Sequence, residues 1–321
     1  MNAAKKISVA IATYNRAHIL PETLGYILGQ THSPSEVIVV DDGSTDETRE
    51  VIESISKDIL YLKIENRGPG SALKTAIELC SNEWIATCDD DDRWRPDHLE
   101  RRVKLLNKYP EADYTFSNHT SFGPDALKDF NSFSTVPPDW LENFPNPDND
   151  GFQLLGRNLL RQFLKYNPVF PTSTCFSRAL YKKCGGIDPK FSRLGCWDAH
   201  FTWRLVLHGN TACDHAPTVS TRRHAGSFSR KKSTVYVQRA EMLNESRNDG
   251  WLPKSLDSQI TQSILDSMVE ASWWAWYERD FEALLKIAGN SSFKDYPTAL
   301  KLRIIYSRMF SPWLQRKNQA D

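Results

Sequence analysis

The 321-residue sequence lacks net charge: 40 Lys and Arg balance 40 Asp and Glu. A protein that holds nucleic acid through broad positive charge is therefore excluded, though local patches are not. No apolar run approaches the ~18 residues of a membrane span. Mean hydropathy is −0.52. The opening MNAAKKISVAIAT has two lysines but no long apolar stretch before Tyr14, which predicts a strand rather than a secretory leader. The six cysteines, at 80, 88, 175, 184, 196 and 213, form no CxxC pair, so a zinc ribbon or a thioredoxin-like motif is not expected. Reduced thiols in a cytoplasmic protein are the expectation. The first strand-to-helix turn is TYNRAH, without GxGxxG, and GxxxxGK[ST] is absent throughout. Rossmann dehydrogenases and P-loop enzymes are thereby disfavoured.

What is present is an alternation of short apolar runs and helical patterns. Strands are expected at 7–13, 36–42, 59–64 and 84–88, separated by helices from Pro21 to Gln30, after Ser44 or Thr45 as N-cap, and from the Asn66–Gly70 turn to Cys80. Four strands and three helices in about 90 residues predict a doubly wound parallel sheet. In such sheets ligands bind beyond the carboxyl ends of the strands. Three strands end there in polar clusters: Thr13-Tyr14-Asn15, Asp41-Asp42 and Asp89 to Asp92. Further on, a helix at 97–108, a strand at 113–117, a long loop over 122–151, a helix at 152–166 and a helix near 198–208 are expected. Ile260, Ile264 and Met268 recur every four residues and predict an amphipathic helix over 255–288, followed by a last helix from Pro297. Five of ten tryptophans (251, 273, 274, 276 and 313) fall in the last quarter, and those on the long helix are expected in a core or an interface. Trp94 is expected to pack on the sheet.

Asp89-Asp90-Asp91-Asp92 carries the most chemistry. Four carboxylates after a buried strand repel one another and call for a cation, and a hard divalent ion takes oxygen ligands and completes its shell with substrate phosphates. Asp42 stands where a carboxylate can accept hydrogen bonds from a ribose or base.

ISVAIATYNR, VIVVDDGSTDET and WIATCDDDDRWRPDHL, in that order and spacing, resemble the family 2 glycosyltransferases of the GT-A fold. GGIDPKFSRLGCWDAHFTWRLVLHG is similar to that family's acceptor-side segment, and RRHAGSFS to its later His-containing segment. The resemblance implies an α/β GT-A fold, a Rossmann-like, mostly parallel sheet flanked by helices. It covers about residues 5–230 and implies a domain over 1–230, with 1–110 as the nucleotide-sugar half and 111–230 as the acceptor half, and 231–321 is left as a helical C-terminal extension. It implies an inverting, metal-dependent hexosyl transfer from a nucleotide-sugar, a UDP-sugar foremost, to a hydroxyl of a saccharide or lipid-linked saccharide, as in polysaccharide biosynthesis. The nucleotide side would comprise Thr13, Tyr14, Asn15, Arg16, Asp42, Arg67, Lys74, Asp89 and Asp90. Asp91, with Asp89 as the other acid of the DxD motif and His224, would hold Mn²⁺ or Mg²⁺. Asp198 would be the catalytic base, although the Glu that usually precedes it is Trp197 here. Arg222, Arg223, Arg230, Lys231 and Lys232 make an acid-free stretch suited to a loop over a diphosphate. The basic, aromatic stretch 301–321 admits peripheral contact with the inner face of a membrane, and a homo-oligomer is admitted as well. Two other readings stand beside this one: a non-catalytic module binding sugar-nucleotide or carbohydrate, and a sugar nucleotidyltransferase, whose Gly-rich basic loop after the first strand is missing.

Overall fold

The computed structural model describes residues 5–142, 144–224, 226 and 230–280, together with 283, 298, 301–303 and 305. The chain divides into two compact units, Met1–Arg193 with Trp197–Ala225, and Leu194–Cys196 with Gly226–Asp321.

The first unit is built on one mixed sheet. Its nine strands are β1 (Ile7–Thr13), β2 (Glu36–Asp41), β3 (Ile59–Lys63), β4 (Trp84–Asp89), β5 (Arg93–Trp94), β6 (Tyr114–Phe122), β7 (Phe152–Gly156), β8 (Thr174–Ser177) and β9 (Thr211–Arg222). The order is β3-β2-β1-β4-β8-β6-β9-β5, with β7 also on β9. The first four strands are parallel, and β1 is buried on both faces, Ile7, Val9 and Ile11 on one and Ser8 and Ala10 on the other, whereas the edge strand β3 is mostly exposed. Crossovers run through α1 (Leu20–Leu28), α2 (Thr48–Ile55) and α3 (Pro69–Leu79). In α1 the inward face is Leu20, Thr23, Leu24 and Ile27, a helical stripe. The register pairs Thr13 with Asp41 and Ala12 with Asp89. Three polar strand ends therefore finish at one level, on one edge.

Beyond β4 the sheet turns antiparallel, because β8 pairs Ser177 against Trp84. Helices α4 (His98–Lys108), α5 (Pro138–Leu141), α6 (Leu160–Lys165), α7 (Arg178–Lys183) and α8 (Trp197–His208) complete the unit. A buried ion cluster ties α4 to β9: Asp214 receives Arg101 Nη2 and Arg102 Nη2, each at 2.7 Å. Trp94 is buried as expected, and its Nε1 donates to the Thr172 carbonyl at 2.8 Å.

Some expectations are corrected. Residues 152–166 are not one helix. They form β7, then a turn with Gly156 and Asn158 at φ +86° and +62°, then α6. Phe152 and Leu154 pair across to β9, and the left-handed turn stops any helix from running through. The strand expected at 113–117 continues to Phe122, because polar Asn118, His119 and Thr120 still ladder against β9. The 122–151 loop contains α5 and a 3₁₀ turn at Ser132–Thr135. It is anchored by buried Trp140, whose Nε1 donates to the Gln162 carbonyl at 2.9 Å.

The second unit is led by α9 (Lys232–Asn248) and α10 (Asp257–Tyr277). The two helices run antiparallel. Glu278 accepts Lys232 N at one end, Arg239 donates to Ser263 midway, and Arg247 meets Thr261 at the other end. The helix expected over 255–288 stops at Tyr277, where Glu278 turns to cap α9 and Arg279 takes φ +57°. The inward face of α10 is Ser263, Ile264, Ser267, Met268, Ala271 and Ala275. Trp273 and Trp276 are not core residues; they are 46% and 43% exposed. Phe281, Pro297, Trp313 and nearly all of 301–321 lie outside the described residues, and the membrane-contact expectation lies there with them. No described helix is long and apolar enough to cross a membrane. All six cysteines are buried.

Burial holds three histidines neutral. It pushes His119 and His200 down to about 3 and His98 well below its ordinary value. Each gains a proton on unfolding, so its contribution to stability is full above about pH 6.5 and fades as pH falls toward 3. The His119 ring stands edge-on to Phe170, with centroids 4.8 Å apart. His119→Phe should thus flatten the loss of urea resistance between pH 7 and 4, and an unchanged pH slope would refute this role.

Candidate active site

The edge built by β1, β2 and β4 is held by interlocked loops. After β1, Asn15 adopts φ +53°, a left-handed conformation that asparagine tolerates better than most residues. Its N–H donates to Ser44 Oγ at 2.8 Å, and its Oδ1 accepts Thr45 N at 2.7 Å. Ala17 N donates to Asp46 Oδ2 at 3.0 Å. Buried Asp41 accepts Ser44 N at 2.7 Å and the Tyr61 hydroxyl at 2.6 Å. The Asp42 carboxylate braces the loop before α3, accepting Arg67 N at 2.7 Å on one oxygen and Gly68 N at 2.9 Å on the other. Tyr14 stands at the rim, 47% exposed. Arg67 lies exposed beside Glu65, and Lys74 is ion-paired with Glu78 on α3.

At the centre are the four aspartates. Thr13 Oγ1 donates to Asp90 Oδ2 at 2.7 Å. Burial, then the neighbouring Asp91, pushes Asp90 up to about 6. Burial likewise raises Asp89 and Asp92 well above the usual carboxylate range. For Asp89 the charges of Asp92, Asp91, Asp90 and Asp198 add to it. The loop backbone is pinned on both sides: Thr23 Oγ1 donates to the carbonyls of Asp90 and Asp92 at 3.1 and 3.0 Å. Arg222 donates its backbone N–H to Asp92 Oδ1 at 2.7 Å and its Nε to the Asp91 carbonyl at 2.9 Å. Glu22 fixes that arginine and Arg93 together, at 2.6 Å each, and both guanidiniums lie over the Phe122 ring.

Asp91 points to a different set. Its Oδ2 is 3.2 Å from His224 Nε2 and 3.7 Å from Arg16 Nη1, and Arg16 Nη1 is 3.4 Å from the same His224 nitrogen. The three residues come from β1's loop, β4's loop and the end of β9. Asp198 sits half-buried in the first turn of α8, near enough for its charge to raise Asp89. Buried Trp197 packs on the start of α3, where a Cβ at Gly70 would lie 3.2 Å from its ring and 3.1 Å from Ser192 Cα. Ser192 Oγ also accepts Ser71 N at 2.6 Å, so the approach to Asp198 is docked on the α3 terminus.

The sequence-predicted residues divide accordingly. Thr13, Arg16, Asp89, Asp90, Asp91, Asp198 and His224 share one neighbourhood. Asn15 and Asp42 brace the loops, and Lys74 and Arg67 are engaged with glutamates. Sequence reasoning missed Glu22 and Thr23, which hide on the polar-to-core boundary of an ordinary helix, and gave no role to Asp92 or to the backbone of Arg222. Among the described residues no three His, Cys, Asp or Glu side chains converge on a common point. A hard cation needs only one or two protein donors when a diphosphate supplies the rest, and the desolvated, like-charged aspartates fit such an ion.

Residues 8–179 match the family model described as Glycosyl transferase family 2. An uncharacterized glycosyltransferase of Rickettsia prowazekii is 36% identical over 94% of this chain and 90% of its own length. With other relatives the match is partial, covering 33% of the length of one and 17% of the length of another. Among solved structures, S. aureus TarS 1–349 in complex with UDP-GlcNAc superposes with a TM-score of 0.63 at 18% identity, covering 95% of this chain and 87% of that one. The mannosyltransferase PcManGT of Pyrobaculum calidifontis, in complex with GDP-Man and Mn²⁺, gives 0.58 at 18% identity, covering 97% and 88%. The GT-A fold expected from the sequence is thereby shown, with helices at the C-terminal side.

Asn15→Ala should lower stability by about 1–2 kcal/mol, through the left-handed backbone and the lost Thr45 hydrogen bond. Asn15→Gly should recover the backbone part. Equal urea midpoints for wild type and the alanine variant would exclude the brace.

Proposed function

The chain belongs to glycosyl transferase family 2, and from that membership we propose that it is a metal-dependent, inverting transferase moving a sugar from a nucleotide-sugar, a UDP-sugar foremost, to a hydroxyl of a saccharide or lipid-linked saccharide. The observation that carries the reading is the carboxylate cluster: Asp89 to Asp92 crowded at the end of β4, with the charge of Asp198 adding to the rise of Asp89.

Asp91 and His224 would hold the ion, with Asp89 beside them, and Mn²⁺ or Mg²⁺ suits this oxygen and imidazole set. PcManGT, of the same fold, is described with Mn²⁺. When bound, the ion supplies Lewis-acid neutralisation of charge growing on the departing diphosphate. Thr13, Tyr14, Asn15 and Asp42 shape the nucleotide side, and Arg16 is the cation nearest the Asp91 carboxylate. Asp198 takes the proton from the acceptor hydroxyl as its oxygen bonds to the anomeric carbon and the bond from that carbon to the diphosphate oxygen breaks. Such a base contributes ~10²–10⁴-fold. One base and one displacement invert the anomeric centre. Trp197 stands in place of a glutamate, which leaves Asp198 as the carboxylate there to act as base, and the Trp197 ring packs on Gly70.

UDP release from a panel of UDP-sugars with Mn²⁺ tests the proposal. Tight donor binding with no release from any donor would make the protein a binding module instead. Asp91→Asn should abolish metal-dependent release while the circular-dichroism spectrum stays native, and retained activity would remove Asp91 from the metal site. Asp198→Asn should lower transfer by about 10²-fold or more with donor affinity preserved. Near wild-type transfer would place the base elsewhere.

A further inference from the structure

The geometry points to Arg16 as the resident counter-cation of the metal site: without metal its guanidinium holds the Asp91–His224 pair, and a divalent ion must displace it. The inference rests on the reading of that pair as metal donors and deepens it.

Arg16 Nη1 lies 3.7 Å from Asp91 Oδ2 and 3.4 Å from His224 Nε2, and those two acceptor atoms are 3.2 Å apart. The guanidinium thus faces the same two atoms an ion would bind. His224 Nε2 cannot serve both neighbours in one neutral tautomer. It needs a hydrogen to donate to Asp91 and a lone pair to accept from Arg16. A metal ion on the imidazole lone pair and the carboxylate oxygen resolves that conflict, since neither contact then needs a hydrogen. The side chains of Arg16, Asp91 and His224 are 21%, 16% and 20% exposed, so water screens the charges only in part. The other nearby arginines are occupied. Arg222 serves Glu22 and the Asp91 carbonyl, and Arg223 lies over Phe170. Arg16 also draws Asp90 toward its ionised form.

A cation already seated lowers the affinity for a second. The free protein would bind Mn²⁺ weakly. A diphosphate, bringing negative charge and its own oxygens, would both complete the metal shell and give the displaced guanidinium a partner. Arg16 would therefore make metal and donor bind together rather than singly.

The test is Mn²⁺ binding to the full chain, read by the electron paramagnetic resonance signal of free Mn²⁺, with and without UDP. Arg16→Gln removes the charge and should tighten Mn²⁺ binding without nucleotide by about ten-fold or more. Its gain in Mn²⁺ affinity on adding UDP should be smaller than that of wild type. Arg16→Lys keeps the charge and should stay within about three-fold of wild type. Equal or weaker Mn²⁺ binding by Arg16→Gln would overturn the inference. Tightening by the lysine variant as well would overturn it too, since displacement of charge would not be the cause. The parent reading fails separately: it falls if Asp91→Asn binds Mn²⁺ as wild type does, with or without UDP.

Discussion

Mutual repulsion among carboxylates at the end of β4 is the constraint around which the first unit is arranged. Burial, and after it the charge of neighbouring aspartates, raises Asp89, Asp90 and Asp92 above the usual carboxylate range. The fold answers with neutral donors and cations on every side. Thr13 comes from β1, Thr23 from α1, Arg222 from the end of β9, and Arg16 from the first loop. Thr13 reaches the loop because the β1 and β4 ends finish at one level, and Arg222 because β9 pairs with β5 just after the aspartates. The electrostatic problem and the sheet register are thus one problem.

The surrounding loops carry little apolar surface and hold shape through hydrogen bonds. Asn15, Ser44, Asp41, Tyr61 and Asp42 form a chain from β1 to the α3 terminus. The Glu22 bridge performs the same service on the far side, since one carboxylate aligns Arg93 and Arg222 over Phe122. Such bonds are individually worth about 1 kcal/mol, but here they set where charges stand rather than how stable the unit is. A site that handles charge gains more from that placement than from extra hydrophobic contact.

How much was legible in the sequence follows from how local each signal is. The strands at 7–13, 36–42 and 84–88 declare themselves by two-sided apolar burial, and their polar ends mark the site edge directly. The fold was legible that far. Residues 152–166 misled because Leu154, Leu155, Leu159 and Leu160 also suit a helical stripe, and only pairing with β9 decides for a strand. The long helix was found but its end was not, since Glu278 stops it through a contact with α9 some 45 residues away. In the site, Asp91 and His224 could be named separately, yet their meeting depends on β9 running beside β6 and returning to β4's loop. Asp42 shows the converse: its place at the strand end was legible, but its two bonds to the Arg67 and Gly68 backbone, one on each oxygen, were not. Glu22 had no local mark, because nothing in an amphipathic helix distinguishes a bridging glutamate from a solvated one.

The six thiols have a consequence for handling the molecule. All are buried, and burial pushes Cys80 and Cys175 up to about 12, Cys184 to about 11, and raises Cys88 and Cys213 as well, so at neutral pH these five hold their protons and present no nucleophile. The native protein is in effect a cysteine-free frame for site-directed labelling. A single thiol introduced at the rim, beside Tyr14, can carry a dye or spin label without removal of any native cysteine. In the unfolded chain all six become reactive, so alkylation doubles as a clock for global opening.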